Sequence, residues 1–158
     1  MHAVIKACIE DAGNLAQTLG VGRVVGQIYA YVYYSEKPKG LKDFQKDLDI
    51  SKGSASMCIR QLEQWDAVRK VQIDGDRRDY YVANTWFGRV LKNVLLDQVN
   101  KRFADREAFY ADLHEQLDAD SAKGEDCAFI KERLAHIQAF EDKARKMWSN
   151  PLVAHFFK

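Results

Sequence analysis

Apolar residues recur along most of the chain at spacings of three and four, the pattern of helices that bury one face. Val4, Ile5, Cys8, Ile9, Ala12, Leu15, Ala16 and Leu19 predict a first helix, with Gly20 as its stop. The next run, GVGRVVGQIYAYVYY, reads two ways. Ile28, Ala30, Val32 and Tyr34 alternate with Tyr29, Tyr31 and Tyr33 as in a strand, whereas Val24, Ile28 and Tyr31 fit a buried helix. Its length before the break at Ser35–Pro38 favours the helix. Leu41, Phe44 and Leu48 then mark a short helix, and Ser51 is a good N-cap for another that runs to about Trp65. VRKVQI and YYV read as two short strands around a charged hairpin loop, Asp74 to Asp79.

Beyond Thr85 the helical spacing returns. Trp86, Val90, Val94, Val99, Phe103, Phe109, Leu113 and Leu117 fall near one stripe that requires a bend, and the polar segment DADSAKGED breaks it. A last helix from about Cys127 carries Ile130, Leu134, Ile137, Phe140, Ala144 and Met147. Ser149-Asn150-Pro151 ends it ahead of the tail LVAHFF. The C-terminal stripe is near-heptad and would be exposed in a monomer, which predicts a dimerisation arm. Packing of the two helices within one chain is the competing account.

Helix, three-residue turn, helix and hairpin, in that order, predict a mainly α fold with a small β-hairpin wing. The layout is a winged helix-turn-helix DNA-binding domain over residues 1–84, followed by long helices over 85–158 that form a dimerisation region. At roughly 100° per residue, Ala55, Cys58, Ile59, Leu62 and Trp65 of the second helix share an arc of about 120°. Gly53, Ser54, Ser56, Met57, Arg60, Gln61 and Gln64 take the remaining surface.

That outward set suits base edges and phosphates. An arginine at position 60 can pair with guanine O6 and N7, and Gln61 with adenine N6 and N7. Ser51, Ser54 and Ser56 offer short hydroxyls, Lys52 can neutralise a phosphate, and Gly53 lets backbone approach closely. Met57 can touch a thymine methyl. Arg77 and Arg78, at the hairpin tip, are placed to reach the backbone or a minor groove. Two blander readings stand beside these: a polar outer face that is merely solvated, and a loop in which Asp76 and Asp79 neutralise the two arginines.

The run ISKGSASMCIRQLEQWDAVRKVQIDGDRRDYYVAN resembles the signature of GbsR-type regulators, a branch of the MarR superfamily of winged-helix transcription factors. Ser51-Lys52-Gly53-Ser54, Leu62-Glu63-Gln64-Trp65, Val68-Arg69-Lys70-Val71 and Gly75-Asp76-Arg77-Arg78-Asp79-Tyr80-Tyr81 carry the resemblance, which spans residues 20–84. It implies dimeric DNA binding, with the recognition helix at 51–65 and the wing at 69–82. The first helix and those after Thr85 would then form the homodimer, which would read a pseudo-palindromic operator in double-stranded DNA. Asp66-Ala67 departs from the Gly and apolar residue expected there, which touches the helix C-cap rather than the DNA contacts. Some proteins of this type respond to choline or related quaternary ammonium compounds. The resemblance therefore implies a small-molecule effector, with Tyr29, Tyr33, Trp65 and Trp86 as candidates for an aromatic box. Tyr31, Tyr34 and Phe87 lie close by in sequence, and aromatics at such spacings more often form core.

Composition adds less. The chain has 158 residues and a formal net charge of +1, which gives no bulk argument for DNA or a membrane surface. The balance is uneven, however: residues 105–126 hold eight acidic residues against two basic ones. Helix and wing from 51 to 82 carry six basic and five acidic residues, so placement rather than net charge must favour DNA. The three cysteines, Cys8, Cys58 and Cys127, form no CxxC pair, which predicts a reduced cytoplasmic protein. Oxidation of Cys58 beside the DNA face is a minor alternative. Val21–Tyr34, the most apolar run, is too short to span a membrane, and Lys6, Glu10 and Asp11 interrupt the apolar run that a signal peptide needs, so none is expected. The histidines show no ligand spacing, Asp74, Asp76 and Asp79 lack an EF-hand pattern, and no catalytic or nucleotide-binding motif appears. No enzyme activity, metal or cofactor is expected. The runner-up function is a winged-helix protein-interaction module without specific DNA binding.

Overall fold

The computed structural model describes residues 1–148; the helix end expected at Ser149–Pro151 and the tail after it lie outside the described residues. The chain forms α1 (Ala3–Thr18), α2 (Arg23–Tyr33), β1 (Lys39–Gly40), α3 (Leu41–Leu48), α4 (Lys52–Gln64), β2 (Val68–Ile73), β3 (Asp76–Ala83), α5 (Phe87–Ala122) and α6 (Ala128–Trp148). It divides into two compact units, Met1–Val94 and Leu95–Lys158. Val90 and Val94 are buried in the core of the first unit, so the opening turns of α5 belong to it.

In the first unit the ambiguous aromatic run is the helix α2, whose Ile28 is completely buried. Gly26 sets how near α1 can come. A Cβ there would lie 2.3 Å from the carbonyl oxygen of Ala12 and 2.6 Å from the Ala16 Cβ, so only glycine fits the crossing. Phe44 of α3 is also completely buried, edge-on to Tyr31 at 6.0 Å and 6.4 Å from the ring of Tyr81 on β3. One side chain thus ties α2, α3 and the sheet together.

The sheet is antiparallel with strand order β1-β3-β2, so it holds a strand more than the expected hairpin. β1 pairs Lys39 with Tyr81 and Gly40 with Tyr80. It fixes the start of α3 against the wing. The hairpin loop is also shorter than the sequence predicts: Ile73 pairs with Asp76, leaving Asp74-Gly75 as the turn, with Gly75 at φ 81°. The charged residues 76–79 belong to β3. Both faces of this part of the wing meet water, so polar side chains do not oppose a strand there.

α4 begins where expected. The Ser51 hydroxyl accepts a hydrogen bond from the Ser54 N–H at 3.1 Å, which satisfies a helix donor that has no partner within the helix. At the other end Asp66 takes φ 55°, the left-handed position at which the resembled family places glycine. The Ala67 N–H reaches back to the Leu62 carbonyl at 2.8 Å, and Asp66 pairs with Arg89 at 3.0 Å.

α5 ends within the polar segment DADSAKGED, as expected. The helix runs on to Ala122, and Gly124, at φ 93°, follows it. The apolar residues from Trp86 to Leu117 form no single stripe: Trp86 lies outside the helix and is 67% exposed, Val90 and Val94 are buried, and Phe109 is exposed. At about 100° per residue the set from Val99 to Leu117 lies on a different side from Val90 and Val94. Polar pairs link α5 and α6: Lys131–Asp118 at 2.8 Å, Arg106–Glu141 at 2.6 Å, Arg145–Glu107 at 2.5 Å and His114–Gln138 at 3.2 Å. Ile130, Ile137, Phe140 and Met147 of α6 remain exposed.

Candidate nucleic-acid interface

α4 is sharply two-sided. Ala55, Cys58, Ile59 and Leu62 are buried, and Trp65 closes the helix at 3% exposure. Lys52, Gly53, Met57, Arg60 and Gln64 are exposed, with Ser56 and Gln61 partly so. The core fixes the helix along one side, so the opposite side is presented as a rigid polar surface. Arg60 Nε donates to the Ser56 carbonyl at 3.2 Å, which holds the guanidinium along the helix, and Arg60 makes no ion pair among the described residues.

Not every outward residue is equally available. Ser51 is committed to the cap, and the Ser54 hydroxyl lies against the Cys58 thiol. Cys58 itself is 3% exposed, and burial pushes its thiol pKa up. A buried, protonated thiol is a poor redox sensor, and its role is packing.

The wing arginines differ from each other. Asp76 accepts from Arg78 Nε at 2.9 Å, from the Arg78 backbone N–H at 2.9 Å and from the Tyr80 hydroxyl at 2.8 Å. These bonds, that from the Arg78 side chain foremost, hold the Asp76 carboxyl well below the usual carboxylate range. Lys70 on β2 pairs with Asp79 at 2.7 Å. Self-neutralisation therefore applies to Arg78. Arg77 is exposed and makes no ion pair among the described residues.

The four aromatic candidates are not brought together. Tyr29 and Tyr33 line a cavity of about 640 Å³ with Tyr34, Phe87 and Asp11. Trp65 lines a separate apolar cavity of about 110 Å³, which Tyr29 also borders, and Trp86 lines neither. Tyr29 stacks loosely on Tyr33 at 5.9 Å and on Phe87 at 6.5 Å, and burial first, then Tyr33, raises its hydroxyl pKa to about 12. Asp11 carried no signal in sequence, since an acidic residue on a helix surface is unremarkable until the fold sets it beside aromatic rings.

Among the described residues no group of three His, Cys, Asp or Glu side chains could hold a metal ion, and no helix is long and apolar enough to cross a membrane.

The helix-turn-helix, the three-stranded sheet and the wing together define a winged-helix fold. A crystal structure of a transcriptional regulator shares it, with a TM-score of 0.56 over 98% of this chain and 99% of that one at 18% identity. The HTH-type transcriptional repressor OpcR of Bacillus subtilis (strain 168) is 26% identical over 111 residues. That match covers 61% of this chain and only 60% of the relative's length. No family model matches the chain.

Proposed function

We propose that this protein is a sequence-specific, DNA-binding transcriptional regulator of the GbsR type that acts as a homodimer. The recognition helix, residues 51–65, enters the major groove, and the wing, residues 69–82, lies on the flanking backbone or in a minor groove. The observation that carries this reading is the two-sidedness of α4: an apolar face locked in the core, and an exposed face with Lys52, Met57, Arg60 and Gln64, beside which Glu63 is the one carboxylate of the helix and is partly buried. Ser56 and Gln61 flank that face. The name of the Bacillus subtilis relative and the shared fold support the same reading.

The exposed stripe of α6 supports the homodimer. Ile130, Ile137, Phe140 and Met147 of α6 stay exposed among the described residues, while ion pairs link α6 to α5. A second copy would remove that surface from water. Sedimentation at micromolar concentration is expected to give a dimer, and Ile137→Glu with Phe140→Glu a monomer. A monomeric parent protein would overturn the dimer and, with it, palindromic readout.

A small-molecule effector would act at the Tyr29–Tyr33 cavity. Aromatic rings with one carboxylate, Asp11, suit a quaternary ammonium compound, whose charge is attracted by ring faces and by the acid. Neither Trp65 nor Trp86 belongs to that wall. Calorimetry with choline is expected to give saturable heat that Tyr29→Ala abolishes. No heat at millimolar choline would remove this class of effector.

A further inference from the structure

We infer that the cleft between α3 and the wing seats one backbone phosphate of duplex DNA, and that Lys42 is a principal contact in it. The inference rests on the DNA-binding reading and adds to it a contact that no motif in the sequence singles out.

The cleft has a volume of about 560 Å³, and four cations from three different elements line it: Lys42 on α3, Lys52 on α4, and Arg77 and Arg78 on β3. Like charges held around one concavity repel each other, and they persist there at least cost when an anion can enter. Of the acids that share the lining, Asp79 is paired, and Asp43 is capped by a backbone N–H but keeps its charge, one against the three unpaired cations. The Asp43 carboxylate accepts the Gly40 N–H at 2.8 Å, and Asp79 takes Lys70 at 2.7 Å. Arg78 is held by Asp76. Lys42, Lys52 and Arg77 make no ion pair among the described residues, so the uncompensated charge in the cleft is positive.

β1 makes this cleft. Pairing of Gly40 with Tyr80 fixes the first turn of α3 beside β3, and a Cβ at Gly40 would come within 3.3 Å of the Asp79 carbonyl oxygen. Lys42 follows two residues after that pair, on a backbone that both strand pairing and the Asp43 cap hold in place. Lys52 is the first residue of α4. The cleft therefore lies between the start of the recognition helix and the wing, at the flank of the surface offered to base edges. That flank is where a DNA strand presents phosphates to a helix in its major groove. Lysines are mobile point charges that neutralise a phosphodiester without reading sequence.

Binding of a mixed-sequence duplex, titrated over a range of salt concentrations, tests the inference without an operator. Each phosphate contact contributes about 0.9 to the slope of log affinity against log salt. Lys42→Ala is expected to weaken binding and to lower the slope by about one contact. Lys42 is exposed, so its removal leaves the core intact. Lys6→Ala, on α1 and outside the cleft, is expected to leave the slope unchanged. Parent-like affinity and slope in Lys42→Ala would overturn the phosphate seat while leaving the DNA reading in place. Absence of any salt-dependent DNA binding by the parent protein would overturn both. Saturable, Lys42-dependent binding of inorganic phosphate alone, with no change in the DNA slope, would overturn the duplex as occupant in favour of a free anion.

Discussion

Replacing Arg60 with alanine is expected to cost about 1–3 kcal/mol of affinity for the operator and to relax its preference at one base pair. Arg60 is exposed on the outer face of α4, without an ion pair among the described residues, and its Nε bond to the Ser56 carbonyl extends the guanidinium along the helix surface. A guanidinium so held can give two parallel hydrogen bonds to guanine O6 and N7, a geometry that lysine cannot copy. Arg60→Lys is therefore expected to restore part of the affinity but little of the base preference. Arg77→Ala should behave differently. Its side chain projects from the free part of the wing, so its loss should weaken binding alike on all sequences and reduce the salt dependence by about one contact. Equilibrium binding to a selected site and to its single-base variants separates the two. Equal losses on every sequence for Arg60→Ala would remove it from base readout.

The largest effect on stability is expected from Phe44→Ala, at about 3–5 kcal/mol. Phe44 is completely buried between Tyr31 and Tyr81, so truncation leaves a cavity where α2, α3 and β3 meet. Natural domains are stable by only about 5–15 kcal/mol, and a loss of this size would leave much of the population unfolded under mild denaturant. Phe44→Leu keeps most of the volume and should cost distinctly less. Denaturant unfolding checks both, as a lower midpoint with an unchanged slope. A Phe44→Ala midpoint equal to that of the parent would mean that the three elements are held together elsewhere.

Much of this architecture was legible in the residues. Ser51 marked the start of α4, and the wheel placed Ala55, Cys58, Ile59 and Leu62 inward, because an amphipathic helix writes its burial into its spacing. The aromatic run was legible as a helix only by length, since alternation and helical spacing coincide in it. β1 was not legible: two residues have no periodicity, and their strand exists only because β3 is there to pair with them. The wing was found but its turn was misplaced, since charged residues between two apolar runs read as loop when both strand faces are solvated. The single stripe expected along α5 failed for another reason. One continuous helix contributes Val90 and Val94 to the first unit and later residues to the second, so two burial directions are written in succession. Lys42 and Asp11 gave no sign because their significance depends on neighbours distant in sequence.

The distinction between the two wing arginines also lay beyond the sequence. Arg77 and Arg78 are adjacent, flanked by the same acids and line the same cleft, yet Asp76 engages only the second. The small net charge of the chain is consistent with this economy. Lys42, Lys52, Arg60 and Arg77 are left available, while Lys70 and Arg78 are paired within the wing.

Selection of bound sequences from a random duplex pool by the full chain tests the central claim most directly. The account predicts enrichment of one pseudo-palindromic motif whose half-sites lie about one helical turn apart, roughly 10 base pairs centre to centre, or a multiple of that. Arg60→Ala, carried through the same selection, should lose information at one position in each half-site. Recovery of the input pool without enrichment would contradict sequence-specific regulation and would favour a winged-helix module that binds protein instead.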